Sequence, residues 1–498
     1  MEDMSLQRAD SDSSGHSGYR WWLLAILAAT VVYYLPFVSR QFSGDDWLWL
    51  ANAKRALTAP LIFLERPMYG YFRPLNMVFV FLQRLVLGDH AILFSLVSIL
   101  LHSANVWLLW RVLERLKVSF VMRFAAVVFF AFYFLNAPAI EWISVAHDLW
   151  VTGLCLLVVL KSLEAVEKPS WSLFVQIWLL GIAATLIKES GFVSIGLFWA
   201  VLLLKGKSPL SRPFRLFTLL AALSFAAFLI GYSATRTVAD REIVLNAHTV
   251  VNLWYFLVYL ITPFAKRIVE SVPEQMIGLL KVIKIATTVF VPLCGIYLWR
   301  KGGMVCRLFL LWSIAFIATI AIMKWDVSLF DLYSERTASR FMYSPVLGVS
   351  VCLGWLAQAV ADRFRAFRQK YVVAVVAVLF IGLNWLAVRQ VSGLYLENQA
   401  VANCIIETFK ASASSLATCD SVIVFSDDLP NAPALVVSSR HLEAILYVWF
   451  DRRLSVTVTD RELQDGTVIG KPTNVVVFRW DGATRSFTAQ DLRQPLLH

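Results

Sequence analysis

Eleven apolar stretches near membrane-spanning length recur between Trp21 and Val391, and they constrain the fold more than any other feature. They are 21–38, 91–113, 120–136, 144–163, 171–187, 190–204, 214–233, 284–299, 306–323, 341–360 and 371–391. A hydrocarbon core takes about 20 apolar residues per helix, and only helices or closed barrels satisfy their backbone groups inside it. Of the 498 residues, 59% are hydrophobic and 16% charged, against about 45–50% and about 25% in soluble domains. The expected fold is therefore an α-helical polytopic membrane protein with about eleven transmembrane helices. The first span lacks a small-residue cleavage site, so it reads as an anchor. Residues 75–88 are apolar but short and carry Arg84, as suits a helix lying at the interface. Residues 250–264 fit either a span or a re-entrant segment.

Cation counts arbitrate. With the N-terminus inside and 250–264 not spanning, the short inside loops carry 17 Lys and Arg and the short outside segments carry 4. That bias follows the positive-inside rule. It also accounts for the net charge of +11 without nucleic acid as a partner. The expected organisation is a disordered cytoplasmic tail over 1–20, a transmembrane domain over 21–395 and an extracytoplasmic domain over 396–498. The outer loops of the transmembrane domain would be 39–74 and 234–283.

In the last hundred residues, Ser421–Ser426 and Asn474–Arg479 read as short buried strands, Ser439–Phe450 as a helix and Asp465-Gly466 as a turn. A small α/β domain is expected. Asp427-Asp428 reads as a solvated turn. Four cysteines lie in or beside apolar runs. Cys404 and Cys419 lie in the polar part and would pair if it faces an oxidising space. Nothing has zinc spacing.

With this topology the unusual polar residues fall on one side. Asp45 and Asp46 follow the first span in Ser43-Gly44-Asp45-Asp46-Trp47. Adjacent carboxylates repel each other and are costly to desolvate at a membrane. Arg73 follows in Tyr71-Phe72-Arg73-Pro74-Leu75, then Glu141, His147 and Asp148, then Lys188-Glu189 in a tight turn, then Arg336, Arg340 and Tyr343 at the entry to the tenth span. Any one of these charges alone reads as a side chain snorkelling to water, and Lys188 with Glu189 as a local pair. His102 and Asn105, in the second span, read as helix–helix hydrogen-bonding residues. Together the outer charges suit group transfer from a lipid-linked phosphate. The phosphate of a polyprenyl-phosphate sugar needs cations, for which Arg has the matching geometry. An acceptor hydroxyl needs a carboxylate base within about 3 Å. One acid would be the base; the other would hold a hydroxyl, a divalent metal or a loop cation. No phosphate-cradling Gly-rich loop or dinucleotide fingerprint is present.

Four patterns in order resemble the GT-C superfamily of membrane glycosyltransferases: Gly44-Asp45-Asp46-Trp47, Tyr71 to Leu75, Lys188-Glu189-Ser190-Gly191, and Arg340 to Pro345. The order is similar to the transmembrane part of TPR-containing O-mannosyltransferases. It is more distantly similar to protein O-mannosyltransferases and to the bacterial aminoarabinose transferases of lipid A. The resemblance covers roughly residues 20–390. It implies a polyprenyl-phosphate sugar donor, an outward-facing site and inverting transfer. It also implies Asp45 as base with Asp46 in support, Arg73 with Arg340 or Arg336 on the donor phosphate, and Tyr343 lining the lipid-phosphate site. His147-Asp148, Lys188 and Glu189 are further site candidates. The chain departs from the TPR-containing enzymes by carrying an outer domain in place of the repeats, and His147-Asp148 differs from their usual polar pair. The expected setting is a bacterial inner membrane with the site facing the periplasm and an extracytoplasmic glycan, lipid or protein as acceptor. Two alternatives remain. One is a glycan polymerase or ligase using a diphosphate donor, although here the acids precede the arginines. The other is a lipid or glycan transporter without chemistry, although no paired halves are evident.

Overall fold

The computed structural model describes residues 16–65, 71–234, 246–261, 273–323, 339–364, 366–426, 438–459, 475–481 and 486–490. Arg336, Asp427-Asp428 and Asp465-Gly466 lie outside the described residues.

Helices dominate. In chain order they are α1 (His16–Tyr34), α2 (Asp45–Ala56), α3 (Pro74–Leu87), α4 (Ala91–Arg115), α5 (Phe120–Phe132), α6 (Ala137–Glu141), α7 (His147–Glu167), α8 (Trp171–Ile187) and α9 (Val193–Leu204). Then follow α10 (Arg212–Ala234), α11 (Ala247–Tyr259), α12 (Glu274–Lys301), α13 (Gly303–Ala321), α14 (Tyr343–Ala361), α15 (Ala366–Ala411), α16 (Ala413–Thr418) and α17 (Ser439–Phe450). All eleven expected stretches fall on helical backbone for nearly their whole length. By length and composition, seven helices among the described residues can cross a membrane, or eight if a pair bent by 49° within 120–141 is one span. α8 is shorter, at 17 residues. α3 and α11 have 14 and 13 residues, about 20 Å each at 1.5 Å per residue, too short for a core of about 30 Å. α3 leaves Leu82, Leu85 and Val86 exposed.

α4, α5, α7, α13 and α14 share the largest core, through residues such as Leu109, Phe130, Cys155, Trp312 and Leu347. His102 and Asn105 tie it together as expected. His102 Nδ1 lies 2.7 Å from the Tyr343 hydroxyl and Nε2 lies 3.0 Å from Ala131 O. Asn105 Nδ2 donates to Leu149 O at 2.8 Å and to the Tyr343 hydroxyl at 3.0 Å. These two buried polar side chains persist among apolar helices because both have partners.

The C-terminal sheet has strand order β2-β1-β3-β4, from β1 (Ser421–Ser426), β2 (Ser455–Thr459), β3 (Val475–Asp481) and β4 (Ser486–Gln490). β1 pairs parallel with β2 and β3, and β4 pairs antiparallel with β3. The two expected strands and the expected helix are there, the latter with the expected bounds. α15 runs unbroken from the last apolar stretch through Val401, Ile405 and Phe409 into the core of this unit. That core is continuous with Phe42, Trp47 and Leu50 near the acidic pair and with Phe94 of α4. Cys404 and Cys419, whose pairing the sequence left open, are both free. Cys419 is buried with its thiol turned to Leu416 O, while Cys404 sits on the side of α15.

Candidate active site

The acidic pair opens a helix. Gly44 precedes α2 at φ 56°, ψ −129°, a left-handed backbone that a side chain would strain. The turn places Asp45 and Asp46 in the first turn of α2, where the helix dipole favours negative charge. Two adjacent carboxylates are thus tolerated partly because they sit at the positive end of the helix dipole. Their environments differ. Asp46 is buried, and both its oxygens are used: Oδ2 accepts Ser43 N–H at 3.1 Å and Oδ1 accepts Ser144 N–H at 2.7 Å. It therefore clamps the loop after the first span to the turn before α7. Asp45 remains the more accessible acid, with 18% of its side chain exposed.

Burial pushes Asp46 up to about 7, against the two backbone hydrogen bonds that favour its charged form. A carboxyl raised in the folded state stabilises the fold most fully below its unfolded value, and that stabilisation fades as pH rises through the folded value. The window here runs from 3.8 to about 7. Melting of the wild type in detergent should fall across it with rising pH more steeply than melting of Asp46→Asn, which has nothing to titrate there. Equal slopes would show that Asp46 keeps an ordinary carboxylate value.

The other outer charges join across elements rather than within the sequence. Lys188 and Glu189 do not pair with each other, contrary to the simple local reading. Lys188 Nζ contacts both oxygens of Asp148, at 2.6 and 2.8 Å, in a pair with both partners buried. Burial pushes the Lys188 ammonium down from its usual range, and Asp148 opposes that. Glu189 instead takes Arg73, which donates through Nε at 3.1 Å and Nη2 at 2.7 Å. The backbone causes this division. Lys188 is extended at the end of α8, and residues 189–192 form one tight 3-10 turn, so consecutive side chains point apart. Gly191 permits the turn, since a Cβ there would lie 2.2 Å from the Ala184 carbonyl.

The links close on themselves. Asp46 holds the 143–145 turn, and α7 follows with His147 and Asp148. Asp148 holds Lys188, Glu189 holds Arg73, and Arg73 is the N-cap of α3, which packs against α2. Lys188, Arg73 and Arg340 all lie within electrostatic reach of His147. The guanidinium of Arg340 sits 5.5 Å over the Trp142 ring and 4.8 Å over the Phe341 ring, and its Nε has no hydrogen-bond partner among the described residues.

Two expected members lie elsewhere. Tyr343 is fully buried in the helical core, its hydroxyl engaged by His102 and Asn105. Glu141 accepts Ser392 Oγ at 2.6 Å and so fastens α6 to α15. Among the described residues no group of three His, Cys, Asp or Glu is placed to hold a metal. Ser144 and His441 were not anticipated. Ser144 acts through its backbone, which carries no residue-type signal. His441 lies 3.2 Å from Asp45; a serine three residues ahead, in the N-cap position of an expected helix, was the available hint.

No family model and no curated protein matches the chain. Among solved structures, the chain is similar to ArnT from Cupriavidus metallidurans in the apo state, with 12% identity and a TM-score of 0.50 over 89% of this chain and 86% of that one. The same protein bound to undecaprenyl phosphate matches at 14% identity with a TM-score of 0.45, over 93% and 90% of the two chains. The first likeness is one of fold, and it agrees with the GT-C-like architecture expected from the motif order. The expected similarity to TPR-containing O-mannosyltransferases rests on motif order alone.

Proposed function

We propose that the chain is an integral-membrane glycosyltransferase that moves a sugar from a polyprenyl-phosphate donor to an extracytoplasmic acceptor with inversion. The observation that carries this is one accessible carboxylate, Asp45, next to the Asp46 that heads a circuit of contacts leading to Arg73, with Arg340 beside it, at one end of an apolar helical bundle. The fold shared with ArnT is compatible with it.

In this scheme the acceptor hydroxyl gives its proton to Asp45 while its oxygen attacks the anomeric carbon. The bond from that carbon to the phosphate oxygen breaks on the opposite face, and the electron pair leaves with the phosphate. Arg73 and Arg340 stabilise the charge that develops there. Glu189 orients Arg73 by engaging Nε and one terminal nitrogen. Asp46 and the Asp148–Lys188 pair hold the elements in place. Arg336 would be a further phosphate contact; Tyr343 would act from behind, by fixing the start of α14.

The orientation with the site outside draws support from the far end of the bundle. α4 begins beside the core of the acidic helix and ends in Arg111 and Arg115, which line an open cleft with Lys117, Lys161 and Lys168. Cations gathered at the end away from the site fit a cytoplasmic face, and in a bacterium the membrane would be the inner one.

The test is transfer by the purified protein in lipid nanodiscs, with synthetic polyprenyl-monophosphate and polyprenyl-diphosphate sugars compared side by side. Product from the monophosphate with inverted anomeric configuration is expected. Product only from the diphosphate would favour the polymerase or ligase reading. Movement of labelled lipid across vesicles without covalent product would favour transport.

A further inference from the structure

The C-terminal unit reaches into the acidic site. His441, in the first turn of α17, is buried, and its Nε2 lies 3.2 Å from Asp45 Oδ1, 396 residues away in sequence. Ser438 caps the helix: its Oγ accepts His441 N–H at 3.4 Å and lies 2.6 Å from His441 Nδ1. One proton assignment satisfies every group. The Ser438 hydroxyl donates to Nδ1, so the ring proton sits on Nε2 and is donated to Asp45.

The far end of the same helix is held as well. Lys54, in the last turn of α2, donates through Nζ to Tyr447 O at 2.9 Å and Val448 O at 3.2 Å, and pairs with Asp451 at 2.9 Å. A cation on the last carbonyls of a helix is favoured both by hydrogen bonding and by the helix dipole. α17 is thus pinned to α2 at both ends, over a core shared by the two. A unit that served only to bind something distant would need neither the shared core nor a histidine turned onto the accessible carboxylate.

We propose that His441 is a positioning residue for Asp45, so that the C-terminal unit completes the active site. It rests on the reading of Asp45 as the base. A donor fixed on one carboxylate oxygen sets the plane of the group and hence the direction in which it meets the acceptor hydroxyl. Misplacement of a reacting group by about 1 Å costs roughly 10²-fold in rate.

The full-length protein in nanodiscs provides the test. His441→Ala should lower kcat roughly 10²-fold with the donor KM unchanged. His441→Gln, whose amide nitrogen can take the place of Nε2, should recover most of the rate. In the Asp45→Asn background, His441→Ala should have no further effect, since the two act as one unit. An unchanged kcat in His441→Ala would overturn the proposal. So would equal losses in both His441 variants accompanied by equal drops in melting temperature, which would mark a structural role. Absence of transfer by the wild type would instead overturn the glycosyltransferase reading. In that event the 15N shifts of the His441 ring decide whether the link exists. They should report a proton on Nε2 and should move in Asp45→Asn; no response would overturn the link itself.

Discussion

Asp45→Asn should remove sugar transfer while leaving the fold intact. A positioned general base is worth roughly 10²–10⁴-fold in rate, and an amide cannot accept the proton. The asparagine has the same shape, and its oxygen can still accept from His441 Nε2, so the contact with α17 is kept. The neighbouring acid is the control. Asp46 uses both oxygens on backbone N–H groups. In Asp46→Asn one of those N–H groups faces an amide NH2 instead, at a cost of about 1–3 kcal/mol for the unsatisfied donor. The two variants should therefore separate: Asp45→Asn inactive at wild-type melting temperature, Asp46→Asn less stable. Turnover assays and thermal melts on the same preparations check this. Full activity in Asp45→Asn would end its assignment as base.

Lys188→Met should be the most destabilising of the substitutions considered. It leaves the Asp148 carboxylate buried beside His147 with its countercharge gone. Removing one partner of a buried ion pair costs about 3–5 kcal/mol, because the survivor is left as an uncompensated buried charge. That is a large share of the roughly 5–15 kcal/mol by which folded domains exceed their unfolded states. Removing both charges, in Lys188→Met with Asp148→Leu, should restore much of the loss, as replacing a buried pair with apolar groups is often neutral or better. Melting temperatures of the two single variants and the double variant complete the cycle. A Lys188→Met protein that melts with the wild type would mean the pair is solvated.

The same pair shows how far local pattern carries. Lys188-Glu189 stands out in the sequence as two opposite charges between apolar runs, and its location in a tight turn is legible. Its partners are not. Whether two neighbours face each other depends on backbone angles in the turn, and whether Asp148 and Arg73 arrive there depends on how α7 and α3 pack. Tyr343 makes the converse point. Its motif Arg340 to Pro345 is visible, but Arg340 lies in a 3-10 turn, Ser339–Phe341, ahead of α14, whereas Tyr343 is the first residue of α14 and is buried in the bundle. Arg340 and Tyr343 share a motif and not an environment.

Apolar length and cation asymmetry by themselves determined that this chain is a polytopic helical membrane protein with its unusual charges gathered toward one side. Those properties depend on transfer of whole segments into lipid, which is additive along the chain and so readable from it. The β1–α17–β3 order of the C-terminal unit was readable for the same reason, since buried strands and an amphipathic helix carry their own periodicity, whereas the short edge strand β2 was not. Only the tertiary structure decided which acid is accessible, which charges neutralise which, and that a histidine near the far end of the chain lies against Asp45. Those are contacts between residues from 40 to 396 positions apart, and they exist only once the elements that carry them have packed.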